Sequence, residues 1–187
     1  MKRRSHYKIL PVLSLVVALL ILCRFSVSAQ QTNYDNLNAT QLAASWLHKN
    51  CDEGERGIIF PYIRRLTAEI EPLFIKAYRQ GPSPEETGEI EKNAAARFDL
   101  IQKALKTGRT FGLSKEELDI ARNQNQNDFI QSQKNGFISG YKSRAIIGMA
   151  VTKGPEARKL IEAETKNEKS ELNAAAKEAM KMLNQTN

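Results

Sequence analysis

Two cysteines, two histidines, one tryptophan and five valines are all that 187 residues hold of side chains on which chemistry and β-structure often depend. So few cysteines exclude a disulfide-dense miniprotein and any zinc site built from four thiolates. Two histidines leave little room for imidazole-based metal chemistry, and scarce valine argues against extended sheet, where β-branched side chains are favoured. A nucleophile elbow, a phosphate-cradling glycine loop and a dinucleotide fingerprint are also missing. With 41% hydrophobic and 26% charged residues, the chain is neither disordered nor a multi-span membrane protein. Its length allows one domain, or a domain with an appendage.

What the sequence does have is positive charge: 28 Lys+Arg against 21 Asp+Glu, a formal net charge of +7. That balance first suggests a nucleic-acid partner. The charge is unevenly placed, however. Lys2, Arg3, Arg4 and Lys8 precede an apolar run over Ile9–Cys23, and Arg24 leads to Val27-Ser28-Ala29. A charged start, a short apolar middle and small residues at −3 and −1 form a secretory signal, so cleavage is expected after Ala29, leaving Gln30 as the new terminus. An uncleaved anchor would need ~20 apolar residues, and this run stops at Arg24. Acylation at Cys23 fits poorly because bulky Leu22 precedes it. Residues 30–187 then carry 23 basic and 21 acidic side chains, one histidine (His48), one cysteine (Cys51) and one valine (Val151). Near-neutral and interspersed charge offers no phosphate-tracking face, so no nucleic acid is expected.

This remainder is rich in Ala, Glu, Lys, Gln and Leu, which favours helix. A first helix is expected over Ala39–Lys49, capped by Asn38, with Leu42, Trp46 and Leu47 on one face. A loop over Asn50–Gly57 follows. The 3–4 spacing of Ile59, Ile63, Leu66, Ile70, Leu73 and Ala77 predicts a second helix from near Pro61, kinked or broken at Pro72. Ser83-Pro84-Glu85-Glu86 has the form of a capping box, opening a third helix striped by Ile90, Ala94, Phe98, Ile101 and Leu105 and closed at Gly108. Ser114-Lys115-Glu116-Glu117 repeats the box for a fourth helix running into the polar stretch 123–128 and as far as Lys134. Phe137–Val151, the most apolar part of residues 30–187, predicts a buried helix. Gly154-Pro155 opens a last one, Pro155–Asn184. The expected fold is all-α, a single antiparallel bundle of five or six helices after the signal segment.

Candidate sites are few. His48-x-x-Cys51-Asp52-Glu53 groups possible zinc ligands, but a second His or Cys is missing, so an ordinary helix end and acidic loop is preferred and no metal is expected. Cys51 is unpaired in an exported chain, which suggests either an intermolecular disulfide, hence a homodimer, or a free thiol; the plainer reading is a small buried residue. Phe137, Tyr141, Lys142 and Arg144 mix aromatic and basic groups as a candidate binding surface. Against it stands helix packing, with small residues at 136, 139, 140 and 143 admitting a neighbour and the basic ends reaching water. Any two of 21 acids could meet as a hydrolytic pair, but Glu85-Glu86 and Glu116-Glu117 are explained as helix starts. Asn38 and Asn184 head glycosylation triplets that matter only in a eukaryotic secretory pathway. The expectation is an exported, secreted or periplasmic protein without a cofactor, more a binder of a protein or small ligand than an enzyme. A membrane contact is expected only if the signal stays uncleaved. The alternative is a small hydrolase using two carboxylates.

Overall fold

A computed structural model describes residues 34–48, 53–108, 114–123 and 125–185, and among them every regular element is helical, with no strand. The expected signal segment, 1–29, and Cys51 lie outside the described residues. The helices are α1 (Ala39–His48), α2 (Glu53–Arg65), α3 (Thr67–Gln80), α4 (Pro84–Thr107), α5 (Lys115–Asn123), α6 (Gln126–Thr152), α7 (Pro155–Lys166) and α8 (Asn173–Asn184).

Helix starts follow local side-chain chemistry. The first amides of a helix have no intrahelical acceptor, so a side-chain oxygen just upstream supplies one. Asn38 Oδ1 accepts from Gln41 N at 2.9 Å while Gln41 Oε1 accepts from Asn38 N at 3.2 Å. Ser83 and Glu86 form the expected capping box, Glu86 N donating to Ser83 Oγ and Ser83 N to Glu86 Oε2. Asn125 Oδ1 caps α6 by accepting from Asp128 N at 2.9 Å. Pro155 occupies the first position of α7, where its missing N–H deprives the helix of nothing.

Where helices end was harder to foresee. Pro72 lies inside α3, and the expected break falls instead at Leu66, between α2 and α3. Pro72 removes the amide that Ala68's carbonyl would bond, and both residues line an open cleft, where an unpaired carbonyl is cheaply left to water. Pro61 is likewise inside α2, which starts at Glu53 and so takes up part of the expected loop. The fourth expected helix stops at Asn123; the segment from Gln126 joins the apolar run into one helix of 27 residues, α6. The expected last helix is divided in two. Asn173 Nδ2 donates to the carbonyls of Glu164, Thr165 and Asn167, so one buried amide satisfies the end of α7 from the start of α8. Eight described helices therefore stand where five or six were expected.

The core is built around the C-terminal half of α6. Ala145 to Thr152 are all buried, and α6 packs against α1, α2, α3, α4, α7 and α8. Leu42, Trp46, Ile59, Ile63, Ile70, Phe74 and Ile161 fill the space around it, each at most 1% exposed. A second, smaller core joins α4, α5 and the start of α6 through Ala94, Phe98, Ile101 and Phe129. Gly148 is the close-approach position on α6: a Cβ there would stand 2.8–2.9 Å from three Phe74 ring atoms. Gly136 and Gly140, expected to admit a neighbouring helix, do not serve that purpose. Nothing stands within 4 Å of a Cβ at Gly136, and at Gly140 only α6's own Arg144 does.

Candidate functional site

α1 presents Thr40, Ala43, Ala44, Leu47 and His48 along one stripe, and α3 presents Leu73, Lys76, Ala77 and Gln80 along another. Both sets recur at three- and four-residue steps, so each lies on one helix face. Alanine at 43, 44 and 77 leaves the space between the stripes open. The result is a cleft of about 480 Å³, closed at one end by the turn Gly81–Pro84 and Glu86 and reached by Tyr141 from α6. Gly81 has φ 74°, a left-handed conformation that glycine adopts without strain.

Two hydrogen bonds hold α1 against α6. Trp46 Nε1 donates to the Arg144 carbonyl at 2.7 Å, and Arg144 Nε donates to the Leu47 carbonyl at 2.6 Å. The guanidinium thus satisfies a carbonyl at the C-terminus of α1, where a positive charge is also favoured by the helix dipole.

His48, the last residue of α1, reaches the first turn of α4. Its Nε2 lies 2.9 Å from Glu86 Oε1. Its ring meets Tyr141 edge-on at 5.5 Å and stacks on Phe137 at 6.4 Å. Glu86 has two partners, since its other oxygen accepts from Ser83 N. Burial pushes the Glu86 carboxyl up, but the Ser83 amide and hydroxyl and the His48 imidazole outweigh burial and hold it below the ordinary carboxylate value. Burial raises the Tyr141 hydroxyl, the Glu86 charge adds to this, and Arg144 opposes it. Both His48 and Glu86 keep about a third or more of their side chains in water, so the pair positions groups more than it stabilises the fold. An imidazole oriented by a carboxylate can hold or pass a proton. Among the described residues no hydroxyl or thiol is hydrogen-bonded to its other ring nitrogen, as a nucleophilic relay requires.

The four sequence candidates divide in position. Tyr141 lines the cleft, and Phe137 packs behind His48 and Tyr141. Lys142 lies beside the α3–α4 turn, with its Cε 3.2 Å from where a Cβ of Gly81 would stand. Arg144 holds the end of α1. Sequence reasoning missed the partnership of His48 with Glu86, and it missed Lys76 and the three alanines. The repeated small residues on α1 were the available signal, but only their pairing with α3 makes a cleft. Among the described residues no group of three metal-ligating side chains comes together.

A second cleft, also about 480 Å³, brings Glu71 and Glu156 together with Lys76 and Arg79. Arg79 Nη2 donates to Glu156 Oε1 at 2.8 Å, and 57% of the Glu156 side chain is exposed. That setting is solvated, and Arg79 compensates the Glu156 charge. No family model, curated protein or solved structure matches the chain.

Proposed function

We propose that this chain is an exported helical protein that acts by binding, in a cell envelope or outside the cell, and that its ligand enters the cleft between α1 and α3. The observation that carries the reading is the cleft's make-up: about 480 Å³ with alanine, leucine and proline walls and a polar cluster of His48, Glu86 and Tyr141. Ligand sites are typically concavities of ~300–1,000 Å³ with mostly apolar linings and a few placed polar groups. Export rests on the pattern of Met1–Ala29. We further propose that the helices form one antiparallel bundle with α6 at its centre, because α6 touches six of the others.

The hydrolase alternative draws less support. Glu86 is the one carboxylate lining the first cleft, and Glu71 and Glu156 share a second one in which Arg79 already neutralises Glu156. A catalytic acid needs a setting that raises its pKa, such as an apolar pocket.

Two experiments test the reading. Intact mass of the protein recovered from the exported fraction should begin at Gln30; retention of residues 1–29 removes the cleavage claim. A thermal-shift screen of small molecules against wild type and Ala44→Phe, a substitution at an exposed cleft-lining position, should yield compounds that stabilise only the wild type. Equal stabilisation of both proteins by every compound found would place binding elsewhere. A homodimer through Cys51 is proposed separately, and non-reducing electrophoresis of wild type and Cys51→Ser decides it.

A further inference from the structure

The α1–α3 cleft is lined by one lysine, Lys76, one carboxylate, Glu86, and one imidazole, His48, and of these three only the lysine is without a bonded partner among the described residues. Glu86 is engaged at both oxygens, by His48 and by Ser83 N. Lys76, on the α3 lip, makes no ion pair among the described residues, whereas its neighbour Arg79 is bonded to Glu156. Lys76 borders both clefts, and its ammonium group, bonded to no carboxylate in either, is left for an incoming ligand. The end wall brings the Glu86 carboxylate and no amide donors from Pro82 and Pro84, so an anionic head is held at Lys76 and not at the wall. Below the lip, Ala43, Leu47, Leu73 and Ala77 present methyl groups that favour an apolar body over water.

We infer that the cleft takes an amphipathic monoanion, a short apolar body carrying a carboxylate, with the body between α1 and α3 and the head at Lys76. This deepens the binding reading above and rests on it. Lys76 is exposed, so its pairing with the head is partly screened by water and contributes severalfold to affinity, with the apolar walls contributing the rest.

Titration calorimetry with decanoate and decyltrimethylammonium below their micelle concentrations, and decan-1-ol below its solubility limit, tests the inference on wild type, Lys76→Gln, Lys76→Glu, Ala44→Phe and Thr40→Trp. The last two fill the cleft from exposed lining positions, and circular dichroism confirms that each variant folds. Decanoate should bind the wild type. Its affinity should fall two- to fivefold in Lys76→Gln and further in Lys76→Glu, while decan-1-ol stays within twofold across the position-76 series. Decyltrimethylammonium should gain in Lys76→Glu. Both cleft-filling variants should lose all binding. Absence of decanoate binding, or a decanoate affinity indifferent to residue 76, overturns the anion inference. If the three ligands bind alike yet vanish in the filled variants, the cleft stands as a binding site and only the ligand class is wrong. If binding survives both filled variants, the cleft reading itself fails.

Discussion

Alanine substitution at three glycines separates distance from physical cost. Within a helix, Gly→Ala stabilises by ~1 kcal/mol, because glycine gives up more backbone freedom on folding. Gly136 lies within α6, and a methyl group added there would meet nothing inside 4 Å, so Gly136→Ala should show most of that gain. Gly148 lies on the same helix, but its methyl group would stand 2.8–2.9 Å from Phe74 Cδ2, Cε2 and Cζ. Phe74 is fully buried, so its ring has nowhere to swing. Overpacking costs ~1–3 kcal/mol, and three such contacts against an immobile ring belong in the upper half of that range. Subtracting the propensity gain leaves Gly148→Ala about 1–2 kcal/mol less stable than wild type. Gly154 has the shortest approach, 1.8–2.2 Å from the Glu71 carboxylate, yet that carboxylate ends a flexible, half-buried side chain and can move aside. The cost of Gly154→Ala should therefore be only about 0.5–1 kcal/mol, mainly because alanine is a poorer N-cap than glycine. Urea unfolding should rank the variants Gly136→Ala, wild type, Gly154→Ala, Gly148→Ala, with unchanged slopes. Phe74→Leu combined with Gly148→Ala should be more stable than the sum of the single effects by at least ~1 kcal/mol. Strict additivity, or a Gly148→Ala protein as stable as Gly136→Ala, would refute the argument.

Tyr78 and Arg144 support two further predictions. The Tyr78 hydroxyl donates to Glu164 Oε2 at 2.5 Å; burial, then the bond to Glu164 and its charge, push the hydroxyl from 10.0 to about 12. A folded-state value raised above the unfolded one contributes stability that is complete below pH 10.0 and lost as pH rises through about 12. Two units correspond to ~2.7 kcal/mol at most, and partial solvent access reduces this to about 1–2 kcal/mol. Tyr78→Phe should remove that part of the alkaline decline. At pH 7 it should cost ~1–3 kcal/mol, because Glu164 Oε1 already has no hydrogen-bond partner among the described residues and Oε2 would lose its own. Parallel stability-against-pH curves for the two proteins between pH 9 and 12 would contradict the assignment. Arg144→Met removes the donor to the Leu47 carbonyl while retaining the apolar stem, and should cost ~1.5–3 kcal/mol. It should also loosen the end of α1 and shift Trp46 emission to the red; an unchanged spectrum and melting temperature would show that the bond does not hold the helix.

The helix starts that were legible are written within four residues. Asn38 with Gln41, Ser83 with Glu86 and Gly154 with Pro155 act through neighbours in sequence, and each opens a helix. The apolar stripes were legible for the same reason, and Ala94, Phe98 and Ile101 are buried as their spacing implies. Breaks were less legible. Proline's local penalty pointed to Pro72, but a helix can accept a missing amide where the freed carbonyl faces an open cleft, and the chain turned at Leu66 instead. His48 and Glu86 were each explained separately, one as a helix end and the other as half of a capping box. Glu86 has two oxygens and serves both partners, which no local rule reveals.

By itself the sequence determined the helical class, half of the described helix starts, the burial of the second half of the apolar run in α6, and an N-terminal pattern that claims five of the positive charges. These follow from backbone propensity, capping and periodicity, interactions that span a turn or two of chain. Only the tertiary structure decided that Gly148 rather than Gly136 is the point of close approach, that Arg144 ties α6 to α1, and that alanines on α1 and α3 face one another across a cleft beside an unpaired lysine. Those facts depend on which helix faces meet, and that is settled by packing between residues tens of positions apart.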